Sequence, residues 1–287
     1  MRNRARLSPR QIRELWLVLG PTKRAQAESR IRSGRTLGKL SGGSRLEAGR
    51  VREQIGQLAG VSGVLAEKCN AIYLAAERDP DLFGPVVEYL ERSENIHDAS
   101  NRMRRLADLE RVRRLAPTQG RFATLVLDPP WQDESVSPNQ RPPYATMTEP
   151  EIAAVPVETW ALDEGHIYCH APGPFLPMAV RLVQGWGYDF KQVLTFRKAA
   201  FSMGRYFRTL DEYCVFATRG GLMLARADLP NVFEGAPGRH SEKPDSFFDL
   251  VRAASPGPYG EAFQRQARPD FTNLYTEAPA VPAMAAE

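Results

Sequence analysis

Apolar runs of strand length alternate with helical segments in the second half of the chain, and this alternation constrains the fold more than any other feature. The runs are Ala123–Leu127, His166–His170, Gln192–Phe196 and Tyr213–Ala217, and the helical segments are Glu149–Val155, Pro174–Gly185 and Lys243–Ala254. Such alternation is typical of an α/β layer fold with a mainly parallel sheet. We therefore predict one α/β domain over residues 117–276, followed by a disordered tail over 277–287.

The first fifty residues are rich in arginine and are expected to be a basic segment that ends in a linker. A short helix is predicted over Pro9–Leu19, with proline at its first position and Gly20-Pro21 as its stop. The glycine-rich stretch from Gly34 to Gly49 is predicted to be the mobile linker.

Residues 51–116 are predicted to be almost entirely helical. Gly60-Val61 supplies a tight turn between two helices, and Ser62 is a suitable N-cap for the second of them. The apolar residues expected on one face of the first helix are Ile55, Leu58 and Ala59. A short helix, a glycine turn and a second helix follow the plan of a helix-turn-helix DNA-binding region, so we predict an all-α region in front of the α/β domain.

Charge is divided unevenly along the chain. Residues 1–116 contain 23 Lys and Arg against 14 Asp and Glu, a formal charge of +9, whereas residues 117–287 contain 15 against 20, a charge of −5. A basic region joined to an acidic one indicates that one part meets a polyanion. Because phosphate neutralisation supplies most non-specific affinity for DNA, the basic region favours DNA as a partner. The alternative is a helical bundle that only packs on the α/β domain.

Neither a membrane span nor a secretory signal is evident in the sequence. No run of eighteen apolar residues occurs, and the basic stretch Met1–Arg6 is not followed by an apolar segment. The three cysteines, Cys69, Cys169 and Cys214, are far apart and odd in number, which fits neither a disulfide framework nor a zinc site. We expect a cytoplasmic protein with reduced cysteines, no metal and no membrane partner.

The sequence Asp128-Pro129-Pro130-Trp131 directly follows the apolar run Ala123–Leu127, at the place where open α/β sheets bind ligands. The amino group of a nucleobase is a poor nucleophile, because its lone pair is delocalised into the ring. A carboxylate and a backbone carbonyl held rigid by two prolines are suitable acceptors for its hydrogens, and a tryptophan can stack on the base or wall the pocket. Taken alone, the four residues also fit a plain turn after a strand.

Further motifs follow Asp128–Trp131 in a fixed order. They are Tyr144-Ala-Thr-Met147 before Glu151-Ile152, Gly185-Trp-Gly-Tyr188, Gly204-Arg-Tyr206, Glu212, Arg219-Gly220 and Arg239-His-Ser-Glu-Lys-Pro244. Over roughly residues 121–276 the chain resembles the MT-A family of mRNA adenosine-N6 methyltransferase catalytic subunits, including its bacterial and phage DNA-methylating branch. The resemblance implies a Rossmann-like methyltransferase that uses S-adenosylmethionine to methylate the N6 amino group of adenine.

The resemblance also implies roles for single residues. Asp128 and Pro129 look like the acceptors of the target amino group within the catalytic segment Asp128–Trp131, and Trp131 and Tyr144 look like the base pocket. Glu261–Arg265 matches the family segment that holds the cofactor ribose. The implied cofactor set is Asp128, Arg219, His240, Lys243, Arg265 and Asn273. Tyr144 also fits an ordinary half-buried aromatic, and His240 fits a capping or core histidine.

Two segments depart from the family pattern. The family usually ends with Trp and then Gly-Asn, where this chain has Phe271–Thr276 with Asn273 as the nearest amide, and it commonly has Trp where this chain has His170. These departures put cofactor affinity in doubt and leave open a non-catalytic DNA-binding regulator that keeps the fold. The related inactive subunits lose the Asp and Trp of the four-residue motif, and this chain keeps both.

The stretch Arg52–Ser62, with Glu67-Lys68 and Asp79-Pro-Asp81 after it, resembles the helix-turn-helix region of ParB-type partition proteins. This resemblance implies a recognition surface that faces the major groove and consists of Ser62, Gly63, Glu67 and Lys68. We therefore expect DNA as the substrate and partner, with a homodimer as an option. RNA is the alternative substrate, although helix-turn-helix modules read B-form major grooves, which A-form RNA does not offer.

Overall fold

The structure is a computed structural model that describes residues 6–34, 43–135, 141–202, 207–235 and 242–277. These residues form two compact units. The first comprises the described residues up to Val112 together with residues 141–145, and the second comprises Arg113–Ser135 and the described residues from Thr146 onward.

The first unit is helical. In the part of the chain that the structure describes, its helices are α1 (Pro9–Gly34), α2 (Gly43–Ala59), α3 (Gly63–Arg78), α4 (Pro80–Ser93) and α5 (Ile96–Arg113). Their shared core contains Ile12, Trp16, Ile55, Ile72 and Leu90. Arg105 and Asp108 of α5 bond the backbone of residues 141–145, which explains why that short segment belongs to this unit.

The turn between α2 and α3 is tight because glycines allow the two helices to approach. Gly60 has φ 70°, a left-handed conformation that favours glycine. A Cβ on Gly56 would lie only 2.6 Å from the backbone nitrogen of Gly63. The Ser62 hydroxyl oxygen accepts a hydrogen bond at 3.2 Å from the backbone N–H three residues further on. The predicted turn and the predicted N-cap are therefore confirmed.

Two predictions for the front of the chain were wrong. Helix α1 continues through the predicted stop at Gly20-Pro21, although a proline inside a helix removes one hydrogen bond and crowds the carbonyl four residues before it. Helix α2 begins at Gly43, inside the predicted linker, since residues 43–49 include the helix formers Leu46, Glu47 and Ala48. Residues 35–42 of that linker lie outside the described residues.

The buried row of α2 also differs from the predicted one. Val51, Ile55 and Ala59 are buried at a spacing of four residues, as expected for one helix face. Leu58, which was predicted to share that face, is 48% exposed. The core side of this helix is therefore formed by residues four apart, and Leu58, three residues after Ile55, lies outside it.

The second unit is built on a seven-stranded sheet. Its strands are β2 (Phe122–Leu127), β3 (Ala161–Ala171), β4 (Asp189–Ser202), β5 (Thr209–Arg219), β6 (Val232–Gly235), β7 (Tyr259–Ala262) and β8 (Phe271–Asn273). Their order is β6-β4-β5-β3-β2-β7-β8, and β5 is antiparallel to both of its neighbours while the other pairs are parallel. A separate ribbon pairs β1 (Leu115–Pro117) with β9 (Tyr275–Glu277). The predicted mainly parallel sheet is confirmed.

Helices cover both faces of the sheet. They are α6 (Glu149–Ala153), α7 (Val157–Trp160), α8 (Leu176–Gly185) and α9 (Asp245–Ala254). Leu125 and Leu127 point into the core shared with α6, α7 and α8, whereas Val126 between them joins the core under α9. This alternation is the period of two expected of a strand buried on both faces. The three layers give the Rossmann-like methyltransferase fold.

No helix among the described residues combines the length and the apolar character needed to cross a membrane.

Candidate active site

Asp128 lies at the carboxyl edge of the sheet, directly after the strand β2. Both neighbours of this strand, β3 and β7, run parallel to it. The backbone nitrogen of Asp128 is 3.4 Å from the carbonyl oxygen of Ala262, the last residue of β7. Because the carboxyl ends of three parallel strands meet here, Asp128 occupies the edge at which α/β sheets bind ligands.

A chain of ion pairs anchors the Asp128 side chain. Lys243 Nζ donates to Asp128 Oδ2 at 2.8 Å and lies 3.7 Å from Glu212 Oε2. Glu212 is in turn paired with Lys198 through its other oxygen at 2.5 Å. The Lys243 and Asp128 side chains are only 9% and 15% exposed, so their attraction is weakly screened by solvent.

These pairs keep Lys243 charged in spite of its burial. Burial alone would lower the pKa of Lys243, but the carboxylates of Asp128 and Glu212 more than offset it and raise that pKa. For Glu212, burial favours a higher pKa, and the cations of Lys243 and Lys198 reverse this and lower it. The site therefore presents a fixed ammonium group that holds one oxygen of Asp128 in place.

The backbone of the two prolines is also fixed. The Pro129 carbonyl oxygen accepts a hydrogen bond from the Trp131 N–H at 3.0 Å, and that of Pro130 accepts one from the Met147 N–H at 2.8 Å. A carbonyl oxygen has two lone pairs, so Pro129 keeps an acceptor position for a further N–H. The rigid arrangement suits a group that must receive a hydrogen in a set direction.

Trp131 is held on two sides. Its indole N–H donates to the carbonyl oxygen of His170 at 3.0 Å, and its ring is stacked on Phe175 with centroids 5.4 Å apart. One face of the indole is therefore already used by a protein side chain. This arrangement makes Trp131 a fixed wall beside Asp128.

His170 is buried at the end of β3 without a hydrogen-bond partner. It is 2% exposed, its ring lies 4.4 Å from that of Phe247, and neither ring nitrogen has a partner among the described residues. An unpaired buried polar group costs on the order of 1–3 kcal/mol. The position where the family commonly has tryptophan thus holds a neutral aromatic ring at a cost in stability.

We expect the second unit to lose stability on mild acidification. Burial lowers the pKa of His166, and burial together with the Lys243 cation lowers that of His170 well below its ordinary value of 6.5. Below that value the unfolded chain binds more protons at these two histidines than the folded protein does. Glu261 opposes one of them, because burial raises its pKa to about 7 and the folded protein binds a proton there first. Because two histidines together outweigh one carboxyl, the net effect below about pH 6 is a loss of stability.

Urea unfolding of the second unit at pH 6.0 and 5.0 measures this loss. His170→Phe removes both unpaired nitrogens, so the variant is expected to gain stability at each pH and to lose less of it between them. His97→Phe is the control, because His97 is exposed. An unchanged pH dependence in His170→Phe would contradict the assignment of His170 as a buried neutral histidine.

The loop after β7 has a fixed and strained backbone. Its first residue, Phe263, has φ 64°, a left-handed conformation that costs a non-glycine residue about 1–2 kcal/mol. Arg268, 9% exposed, lies 3.4 Å over the ring of Phe248 and donates to the Lys243 carbonyl and the Asp245 carboxylate. Strained residues held by their surroundings are frequent at functional sites. Arg268 thus links this loop to the backbone of Lys243, the residue that pairs with Asp128.

A cavity of about 330 Å³ lies beside Lys243. Its lining consists of Glu234, Gly235, Glu242, Lys243, Pro244, Asp245, Ser246 and Gln266. The carboxylates suit the positive sulfonium and ammonium groups of S-adenosylmethionine, the lysine suits its carboxylate, and the hydroxyl and amide groups suit its ribose. The lining of this cavity therefore carries groups that suit the cofactor that the sequence implied.

The sheet brings some of the predicted cofactor residues to this edge. Lys243 bonds Asp128, Arg265 is exposed in the loop after β7, and Asn273 ends β8, which is parallel to β7. The side-chain oxygen of Asn273 accepts a hydrogen bond from the Tyr275 N–H at 3.2 Å. The amide is therefore partly used by its own turn.

Arg219 is not brought to this edge. It ends the antiparallel strand β5 and pairs with Gly165 near the start of β3, whereas Asp128 lies beyond the end of β3 where Cys169 pairs with Leu127. The antiparallel direction of β5 reverses the edge at which its last residue lies. The cofactor contact of Arg219 stays a prediction, and the residue lies at the opposite edge of the sheet from Asp128.

Two further predicted residues are not tested by this geometry. Tyr144 belongs to the first unit, so its place in a base pocket stays a prediction. His240 lies outside the described residues.

The predicted DNA-binding residues lie at the start of α3 in the first unit. Gly63 does not face outward: it is buried, and a Cβ on it would lie 2.6 Å from the Glu53 side chain, so its predicted groove contact was wrong. Glu67 is exposed and paired with Arg52 at 3.1 Å. Lys68 Nζ is 3.4 Å from the ring of His97, and Ser62 is exposed at the turn. Three of the four residues remain accessible.

The sequence left three residues of the site without a role. Glu212 was part of the motif string, but nothing in its neighbours showed that it would face Lys243. Lys198 and Arg268 had no signal at all, because their partners are 14 and 23 or more residues away along the chain. Only the fold brings these charges together.

A family model described as MT-A70 matches residues 122–277 of this chain. A search of curated proteins gives no match. The matched region covers the whole seven-stranded sheet and every residue of the Asp128 edge. The chain therefore belongs to the MT-A70 family of S-adenosylmethionine-dependent N6-adenosine methyltransferases.

Proposed function

We propose that this chain transfers a methyl group from S-adenosylmethionine to the N6 amino group of adenine in DNA. The observation that carries the proposal is the Asp128 carboxylate at the carboxyl edge of β2, held through Oδ2 by the buried Lys243. The other carboxylate oxygen, Oδ1, and the Pro129 carbonyl are the two acceptors that we assign to the amino hydrogens.

The chemistry follows from the two acceptors. S-adenosylmethionine supplies a methyl group on an activated sulfonium. Hydrogen bonds from the amino group to Asp128 and Pro129 draw electron density onto N6 and let that nitrogen pyramidalise towards the methyl carbon. Transfer would form the N–C bond and break the C–S bond, with the electron pair left on sulfur as S-adenosylhomocysteine departs and one N6 proton passed to solvent water. Trp131 walls the pocket so that the base keeps this direction.

Residues 117–276 are the catalytic domain in this proposal, and residues 51–116 are the DNA-binding region. Two features of the first unit favour DNA over RNA. Its helices α2 and α3 are joined by the short turn at Gly60, and residues 1–116 carry a formal charge of +9. Ser62, Glu67 and Lys68 are the residues that we assign to the groove. A target adenine in a duplex has to be extruded from the stack to reach Asp128.

Tritium transfer to matched nucleic acids tests the substrate. The full chain is incubated with labelled S-adenosylmethionine and duplex DNA, single-stranded DNA or RNA of one sequence. We expect DNA to be labelled at least tenfold faster than RNA. Lys68→Glu should weaken binding of duplex DNA by about 3- to 10-fold at 100 mM salt. It should also lower the slope of log affinity against log salt concentration by an amount that corresponds to about one phosphate contact. Faster labelling of RNA would reject DNA as the substrate.

One observation favours a second candidate, a DNA-binding regulator without catalysis. The Asn273 amide, the nearest match to the family's cofactor asparagine, is used by the Tyr275 backbone. Calorimetry of the full chain with S-adenosylmethionine distinguishes the candidates. We expect binding in the micromolar range, and no heat of binding at millimolar cofactor would favour the regulator.

A further inference from the structure

The end of the β4–β5 hairpin projects past the rest of the sheet as an arm, which we define as residues 199–202 and 207–212. Strand β6 pairs with β4 only from Thr195 to Lys198, and β3 pairs with β5 only from Tyr213 onward. Among the described residues the arm therefore has no third strand beside it. It leaves the sheet at the Asp128 edge, because β4 runs in the same direction as β3.

The arm carries exposed aromatic rings on a basic segment. Phe207 is 85% exposed and Phe201 is 63% exposed, although each could bury a large apolar surface. In the sequence, residues 197–212 contain four Lys and Arg and three aromatic residues against two acidic residues, Asp211 and Glu212. Arg208 is exposed next to Phe207. Positive charge interleaved with aromatic rings is the chemistry that binds a single nucleic-acid strand.

The base of the arm is joined to the reacting centre by the ion pairs already described. Lys198 is the last β4 residue that pairs with β6, and its side chain is paired with Glu212. Glu212 in turn contacts Lys243, the lysine that holds Asp128. The arm and Asp128 therefore lie at the same edge of the sheet. Extruding the target adenine leaves a gap in the base stack, which an aromatic side chain can fill.

We propose that this arm binds the DNA strand that carries the target adenine. Phe207 and Phe201 stack on the bases next to the target, and Arg208 binds a phosphate beside them. The inference rests on the proposed function for its choice of DNA, but the binding itself can be measured without methyl transfer. A second copy of the chain covering the two rings is the other occupant that the experiment distinguishes.

Affinity of the full chain for a fluorescein-labelled single-stranded 20-mer of mixed sequence tests the proposal. We expect Phe207→Ala to weaken binding about 5- to 50-fold, Phe201→Ala/Phe207→Ala to weaken it further, and Phe207→Trp to keep the affinity. The matched control is Phe190→Ala, because Phe190 is 37% exposed at the other end of β4, the strand that carries Phe201. A 2-aminopurine base in the 20-mer reports stacking, and its fluorescence change should be lost in Phe207→Ala.

Three results would overturn the proposal. They are an affinity of Phe207→Ala equal to that of the unchanged chain, an equal loss in Phe190→Ala, and a dimer in sedimentation that Phe207→Ala dissociates without any change in oligonucleotide affinity. Failure of methyl transfer to DNA with arm-dependent binding intact would instead count against the proposed function alone.

Discussion

Replacing Asp128 with asparagine lowers the rate of methyl transfer about 10²- to 10³-fold, and replacing it with alanine abolishes transfer. Asparagine keeps the size of the side chain and one carbonyl oxygen, but it removes the negative charge that Lys243 holds in place. Loss of one directed acceptor in a fixed site typically has an effect of this size. Single-turnover transfer to duplex DNA at saturating S-adenosylmethionine measures the rate.

Asp163→Asn is the control for this change. Asp163 is also a carboxylate paired with a basic residue, Arg121 at 3.1 Å, but its side chain is 96% exposed near the start of β3. We expect its rate to match that of the unchanged chain, and DNA binding by the first unit to stay within twofold in both variants. A normal rate in Asp128→Asn would remove Asp128 from the reaction.

Replacing Lys243 with methionine is expected to lower both stability and the rate of transfer. The change leaves Asp128 and Glu212 without their shared cation in a site where the lysine side chain is 9% exposed. Removing one partner of a buried pair costs about 3–5 kcal/mol, and Lys198 offsets part of this cost at Glu212. The free energy of unfolding of the second unit should fall by about 3 kcal/mol in urea titrations.

A double-mutant cycle shows whether Lys243 acts through Asp128. At saturating S-adenosylmethionine, Lys243→Met should lower kcat about 10- to 100-fold and leave KM for DNA nearly unchanged. Asp128→Asn/Lys243→Met should be no slower than Asp128→Asn, because a positioning residue has no effect once its target is changed. Rates that multiply instead would show an independent role. Lys191→Met, which removes an exposed lysine 3.9 Å from Asp189, is the control and should change stability by less than about 0.5 kcal/mol.

The long elements of the catalytic unit were predictable from sequence because their signals are strong. The apolar run before Asp128 became β2, and the segment Pro174–Gly185 became α8 with a short 3-10 turn before it. Strands β6, β7 and β8 were missed. Each has only three or four residues, and β6 and β7 contain glycine, so neither alternation nor an apolar run marks them.

The candidate site was predictable only where residue types carry a mechanism of their own. The placement of Asp128 followed from one strand and the proline pair after it. The pairing with Lys243 spans 115 residues, and no local pattern specifies it. The edge at which Arg219 lies was not predictable for the same reason, because the direction of β5 depends on a pairing with β3 that the sequence does not show. Gly63 looked like a surface residue of a recognition helix, yet it is buried, and the Glu53 side chain occupies the place that a Cβ would take.

Mass spectrometry of nucleosides from methylated DNA tests whether Asp128 directs methyl transfer to the N6 amino group of adenine. Duplex DNA is incubated with the full chain and S-adenosylmethionine that carries a ¹³C-labelled methyl group, and is then digested completely. We expect labelled N6-methyl-2′-deoxyadenosine with the unchanged chain and none with Asp128→Ala. Label on cytosine, or equal label on adenine with the variant, would contradict this role of Asp128.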